Sequence, residues 1–330
     1  MVDLADPAGP LSEGLGQGTE RLTGHRRRDG DAMNETWRSW LSGTPWLLMI
    51  GCFFILPLAG LLLMSFSGEG GFPSLDNYRV VLGEGSDRPA VLLRTIGTAL
   101  SVVLLSIAIA VPAAYYLAKC VLSARVQAAV LALVAVTFLV GPLVRTVAWR
   151  GILGRSGLVN TVLQGLGVID EPIMALLYGR PAVIVAMTYN AFPFMLFTVF
   201  LAMKMIDDRY LAAGRDLGAG PATVFWRIVL PLAAPGIWTG AILVFVPTIS
   251  TVLEPEILGG TSGRLAATEI RDQFFHALNW PMGSTLTIVL IVAGGVAILA
   301  LALVTAALAR LSGRIGIAMR AGSTGAGSAR

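Results

Sequence analysis

Long apolar stretches, each of about 20 residues or more, recur along this chain, and no other feature restricts its folding as severely. About 20 mostly apolar residues in a helix match the hydrocarbon thickness of a bilayer. Inside lipid every backbone N–H and C=O must be satisfied within the protein, which makes helices the natural spanning element. We place six spans, at 45–66, 92–118, 126–149, 181–203, 236–253 and 284–309. Composition agrees: only 13% of the residues are charged, whereas soluble domains carry ~25%. Pro112, Gly141-Pro142, Pro193 and Pro247 fall inside four of the spans. Such breaks fit helices that pack around a path and move, and equally fit ordinary kinking of membrane helices.

Orientation follows from the cations. Of the 24 Lys and Arg, fifteen fall before residue 45, at 119–125, within 204–235 or after 309, and nine on the opposite side or its interface. The richer side is expected to face the cytoplasm, which puts both termini inside. Residues 1–44 are polar, with the run His25-Arg26-Arg27-Arg28, and read as a disordered cytoplasmic tail. That run has no interleaved aromatic residues and is taken as a topology signal, not as a nucleic-acid site. Met33 is an alternative start. Residues 310–330, rich in Gly, Ser and Ala, read as a second cytoplasmic tail.

Several chemistries lack their residues. Cys52 and Cys120 are far apart in apolar surroundings and read as packing residues. Two histidines, His25 and His276, do not suggest a metal site. There is no G-x-x-x-x-G-K-[ST] phosphate loop and no Ser/His/Asp constellation. The chain is not expected to be an enzyme, to hydrolyse ATP itself or to hold a cofactor or metal.

The segment LAAGRDLGAGPATVFWRIVLP, residues 211–231, is amphipathic and too charged to span. Asp207 and Asp208 suit a helix N-cap. Gly218 suits the residue just past a helix end, with positive φ, and Gly220-Pro221 suits the start of a second short helix. Val224, Phe225, Ile228 and Val229 form its apolar face, and Pro231 is expected to end it. Ala212, Ala213 and Gly214 would leave room for a partner's backbone. The whole reads as a helix-turn-helix on the cytoplasmic face, built for docking.

These residues carry a family resemblance. Ala212-Ala213-Gly214, Gly218, Ile228, Leu230 and Pro231 resemble the EAA loop of binding-protein-dependent ABC importer permeases. Ala212 replaces the name-giving glutamate, while Arg215 and Asp216 remain as polar contacts. PAAYYLA (112–118), RGILGRSGLVN (150–160), the stretch from Leu230 to Gly260 and NWPMGS (279–284) are similar to the spermidine/putrescine branch. The resemblance covers roughly 45–309. It implies an all-α integral membrane protein of the type I importer permease architecture, with six transmembrane helices. It implies a permease core at 92–309 whose cytoplasmic loop, 204–235, docks into a cleft of an ATPase subunit. It implies as partners an ABC ATPase dimer, which uses the ATP and Mg, a second permease subunit, homologous or identical, and an extracytoplasmic solute-binding protein received by loops 150–180 and 254–283. The lipid bilayer of the inner membrane is the implied setting, with no nucleic acid.

For the solute path we single out Glu254, Glu256, Thr248, Ser250, Thr251, Tyr189 and Asn190. Ionisable groups near membrane depth are functional candidates. Glu256 matches the acidic position of the family's Pro-Glu turn and is preferred over Glu254. Both carboxylates read either as an acidic vestibule for a cation or as solvated groups shaping a turn. Thr248, Ser250 and Thr251 line the path or bond carbonyls near Pro247. Tyr189-Asn190 line the path or bond between helices, and Trp149 marks the membrane interface. A polyamine or related small organic cation is the expected solute. An opine, amino-acid derivative, thiamine, ferric ion or sulfate stays open, as does an ATP-independent secondary transporter or channel. The spans as drawn lack the carboxylates that ion coupling would need.

Overall fold

The computed structural model describes residues 45–46, 48–68, 71–83, 85–173 and 178–325, with side chains up to residue 303. The tail at 1–44, its basic run and Met33 lie outside the described residues. Two compact units are present, Met1–Leu63 and Met64–Arg330. No strand occurs among the described residues. The first long helix is α1, Leu48–Ser65. After it come a short helix α2, Asp76–Leu82, and the span α3, Arg88–Cys120, which closes on a π turn.

The third expected span is not one straight helix. It is a pair, Ala124–Leu139 and Pro142–Gly165, bent by 94° at a short break. Helix α4, Ala124–Val136, tightens into a 3-10 turn at Thr137–Leu139. Val140 is extended, as is ψ of Gly141, and Pro142 opens α5, Pro142–Leu153. Proline disfavours the helical conformation in the residue before it and suits the first position of a new helix. The Gly-Pro pair therefore redirects the chain, where a kink was expected. Beyond Gly154, the expected outer loop folds a further helix α6, Leu158–Gly165. Buried Asn160 ties that loop together, donating to the Gly154 carbonyl at 2.9 Å and accepting from the Ile173 N–H at 3.0 Å.

The fourth span is α7, Arg180–Lys204. A short helix α8, Asp208–Asp216, leads to α9, Pro221–Ser250. Here Pro231 does not end the second arm of the hairpin: α9 runs through it and starts fifteen residues before the expected fifth span. The reason is a π turn at Phe225–Val229, closed by the Leu230 N–H on the Phe225 carbonyl. An α-helical proline clashes with the carbonyl four residues back and lacks a donor for it. The wider turn just ahead of Pro231 gives that ring room. Helix α9 stops at Ser250 because Thr251 is extended, and Leu253 belongs to a separate helix, α10, Leu253–Leu258. Helix α11, Ala266–Phe275, precedes α12, Trp280–Gly325. The C-terminal segment expected as a tail thus continues that helix as far as Gly325.

The core of the second unit is α3, α7 and α9 packed together, with Ala99, Val102, Ala186, Val199, Ala241 and Phe245 at its centre. Small residues set the approach of α7 and α9. A Cβ on Gly236 would stand 2.1 Å from Ala202 Cβ, and one on Gly240 would stand 2.4 Å from Thr198 Oγ1. This Gly-x-x-x-Gly spacing lets two membrane helices approach backbone to backbone. Cys52 and Cys120 are free and exposed. The packing role expected for them is not seen. In apolar membrane helices an exposed thiol is a small nonpolar surface group.

Candidate functional site

Two places bring the expected site residues together. The first is the hairpin between α7 and α9. Asp207 caps α8, accepting the Arg209 N–H at 2.9 Å. At the other end Gly218 has φ +80, the left-handed conformation that glycine adopts freely. Its N–H donates to the Arg215 carbonyl at 2.8 Å and the Ala219 N–H to the Gly214 carbonyl at 3.0 Å. This double closure is a Schellman motif. Gly220 and Pro221 then start α9 as the sequence indicates.

The two arms close on each other through Gly214. A Cβ there would lie 2.6 Å from Ile228 Cδ1, so Gly214 serves the hairpin's own packing. Leu211, Val224 and Val229 are buried in the core, Leu230 is half-buried, and Pro231 is exposed. Ala212, Ala213, Asp216 and Gly218 stay exposed, and Leu217 at the tip is 89% exposed. The outward face is therefore small, apolar and lightly charged.

A cation fixes the hairpin to the bundle. The Lys119 side chain, 6% exposed, donates to the Ile206 carbonyl and to Asp208 Oδ1, each at 2.6 Å. Its hydrogen bond, with its charge, holds the Asp208 carboxyl below the usual 3.8. Nearby, Lys204 donates to Gln127 Oε1 at 2.9 Å, and Gln127 donates to the Val121 carbonyl at 2.6 Å. The ends of α3 and α7 and the starts of α4 and α8 are thereby tied together.

The second place is a cavity of about 530 Å³ walled by α5, α7, α9 and α10. Asn190, Thr248, Thr251 and Glu254 all line it, with Phe138, Phe194 and Arg145. Glu254, expected as the weaker of the two carboxylates, is the buried one, 5% exposed. Its Oε1 accepts from Asn190 Nδ2 at 2.7 Å and its Oε2 from Thr251 Oγ1 at 2.5 Å. Both bonds come from neutral donors, so the carboxylate has no cationic partner among the described residues. Glu256 instead faces away, in an ion pair with Arg271. The solvated-turn reading fits Glu256 and not Glu254.

The other expected path residues divide. Thr248 Oγ1 donates to the Val244 carbonyl at 2.6 Å, so this cavity-lining hydroxyl also bonds its own helix. Exposed Ser250 bonds the Val246 and Pro247 carbonyls at 3.3 and 3.1 Å and does not line the cavity. Tyr189 packs edge-on against Trp149, ring centroids 5.6 Å apart, and lines a neighbouring cavity of about 530 Å³. Trp149 thus has a ring partner inside the protein. The residue the sequence reading missed is Arg145, placed among the outer cations. It lines both cavities, and its Nε and Nη1 are buried without a hydrogen-bond partner. A lone Arg three residues past the Pro142 break, inside an apolar run, was the available signal.

On α11, Asp272 gathers Arg264, Arg271 and His276 at 2.6, 2.8 and 3.1 Å. Burial pushes its carboxyl up, but hydrogen bonds from Arg271 and His276 outweigh it and hold the group below 3.8.

Comparison with known proteins is consistent with this architecture. Residues 110–314 match the model of the family described as "Binding-protein-dependent transport system inner membrane component". The spermidine/putrescine transport system permease protein PotB of Escherichia coli (strain K12) is 33% identical over 226 residues, 68% of this chain and 80% of that protein. The inner membrane ABC transporter permease protein YdcU of the same organism is 30% identical over 214 residues, 61% and 67% of the two chains. A chain of a bacterial alginate ABC transporter crystallised with its periplasmic protein superimposes with a TM-score of 0.68 at 18% identity, covering 82% of this chain and 94% of that one. The likeness to that structure concerns the fold. Among the described residues five helices are long and apolar enough to cross a membrane, six if the bent pair is one broken span. The chain is a multi-pass inner-membrane permease component with the type I fold, and it belongs to the family of binding-protein-dependent transport system inner membrane components.

Proposed function

We propose that this chain is the permease subunit of an ATP-driven importer that passes a small amine-bearing solute into the cytoplasm, polyamines being the first candidate class. The observation that carries the coupling half of this reading is the hairpin Asp208–Val229. It is held rigidly by Lys119 and the Schellman turn, yet it presents Ala212, Ala213, Asp216 and Leu217 outward. Small exposed residues on a rigid hairpin fit a docking cleft, and the chain's own sequence has no phosphate loop to supply the energy. In this reading an ATPase dimer takes the hairpin, a second permease chain completes the pathway, and an external binding protein delivers solute to the opposite side. Both termini and the hairpin lie in the cytoplasm, which agrees with the distribution of Lys and Arg.

Buried Glu254 with Asn190, Thr251 and the Phe138 and Phe194 rings supports the amine. A carboxylate, an amide and ring faces are the groups that receive an ammonium. The similarity to PotB, a spermidine/putrescine permease, supports the polyamine class. The test is uptake of labelled amine-bearing solutes, spermidine, putrescine and 4-aminobutyrate, into proteoliposomes holding the permease, ATPase and binding protein. ATP-dependent accumulation of at least one of them is expected. Uptake that persists without hydrolysable ATP contradicts the importer and favours a secondary transporter.

A further inference from the structure

We infer that the solute held in the Glu254 cavity is zwitterionic, carrying a carboxylate or similar anionic group that meets Arg145 besides the amine that meets Glu254. The inference rests on the reading of the chain as a permease for an amine-bearing solute and, within that reading, favours a zwitterion over the polyamines.

Three observations lead to it. A guanidinium is a permanent cation in proteins, and two of the nitrogens of Arg145 are buried with no hydrogen-bond partner. Glu254 has two neutral donors and no cation. Arg145 and Glu254 line the same cavity, yet no hydrogen bond joins them. A buried charge without a partner is costly, and the cost is relieved when an opposite charge arrives. The cavity wall therefore carries a cation and an anion that form no direct ion pair with each other.

A diamine would satisfy Glu254 and bring a second ammonium into the cavity with Arg145, where like charges repel. A simple acid would do the reverse. A molecule with an ammonium at one end and a carboxylate at the other neutralises both walls. The buried Asn190 Oδ1, also without a partner, is a further acceptor beside Glu254 for the ammonium. The Phe138 and Phe194 rings, centroids 5.0 Å apart, also line the cavity, and aromatic rings attract an ammonium. Arg145 contributes a planar fork whose geometry matches a carboxylate.

A matched pair of probes isolates the second terminus: putrescine and 4-aminobutyrate share a four-carbon chain and one amine, and differ at the other end. Binding to the purified permease–ATPase complex, without binding protein, is measured by isothermal titration calorimetry. The wild-type complex is expected to bind 4-aminobutyrate at least tenfold tighter than putrescine. Arg145→Gln should weaken 4-aminobutyrate by about 10- to 100-fold, the scale of a lost charged hydrogen bond, and leave putrescine unchanged or improved. Glu254→Gln should weaken both probes. Arg145→Lys, which keeps the charge, should retain part of the preference, and it serves if Arg145→Gln does not assemble. Equal or tighter binding of putrescine by the wild type overturns the inference, as does binding of neither probe or an Arg145→Gln variant that binds 4-aminobutyrate normally. ATP-driven uptake of putrescine would sink this inference while upholding the importer.

Discussion

Lys119 shows how much one side chain decides at the base of the bundle. It makes two bonds of equal length, but they are unequal in consequence. Asp208 is largely exposed, so its share resembles a surface ion pair, ~0.2–1 kcal/mol. The Ile206 carbonyl is received by a nearly buried ammonium, and stripping a buried group of its partner costs ~1–3 kcal/mol. Lys119→Met is therefore expected to lower the thermal midpoint of the purified complex clearly more than Asp208→Asn. Equal shifts would mean that the ion pair, and not the backbone contact, carries the tie. Acid should affect this tie late. Asp208 titrates below its unfolded value of 3.8, so its contribution is present above that value and fades only as pH falls through the lower, folded one. Between pH 6 and 8 the difference between wild type and Asp208→Asn should be flat. Residue chemistry of this local kind is legible in sequence: the Asp207 cap, the positive φ of Gly218 and the Gly220-Pro221 start each depend on a few neighbours. Glu254 stands out in sequence as a path candidate, but its burial and its place beside Arg145 do not, because both depend on α5, α7, α9 and α10 converging on one cavity.

Helices obey local rules until a neighbouring turn relaxes them. Pro231 ought to stop a helix, yet the π turn at Phe225–Val229 absorbs it and joins the hairpin's second arm directly to the fifth span. Nothing in the residues 225–229 announces a π turn, so the reading from sequence separated two pieces that are one rod. The joint has a mechanical consequence: a push on the hairpin travels into α9 without crossing a loop. Gly141-Pro142 was visible as a break, but its size, 94°, depends on how α5 packs against α7 and α10. The Gly236–Gly240 spacing gains its meaning only from its partner on α7, Thr198 and Ala202. Gly236→Leu should be severely destabilising. Its Cβ alone would overlap Ala202, beyond the ~1–3 kcal/mol of ordinary overpacking. Gly220→Ala has open space and negative φ and should be neutral. The yield of monodisperse protein in detergent compares the two, and a well-folded Gly236→Leu would show that α7 and α9 do not depend on that close approach.

For the whole molecule, the account puts the hairpin on one side of the membrane and the α10–α11 region on the other. In a background with Cys52 and Cys120 replaced by Ser, cysteines at exposed Ser156 and Ser262 should react with an impermeant thiol reagent on intact cells. Cysteines at exposed Ser123 and Thr223 should not. Labelling of Thr223→Cys from outside would reverse the orientation and place the hairpin beyond reach of any cytoplasmic ATPase.

The central claim is that the hairpin transmits ATPase closure to the pathway, and Gly218 tests it most directly. A Cβ at Gly218 meets nothing within 4 Å, but φ is +80, so a β-branched residue is strained in its backbone alone, by ~1–3 kcal/mol. Gly218→Val should therefore insert at near-normal levels with the turn disturbed, while Gly218→Asn, which tolerates the left-handed conformation, should behave almost as wild type. The measurement is ATP hydrolysis by the reconstituted complex with and without solute-loaded binding protein. The account predicts that loaded binding protein stimulates the wild type and Gly218→Asn strongly and Gly218→Val little or not at all. Full stimulation in Gly218→Val, with the protein correctly inserted, would contradict it.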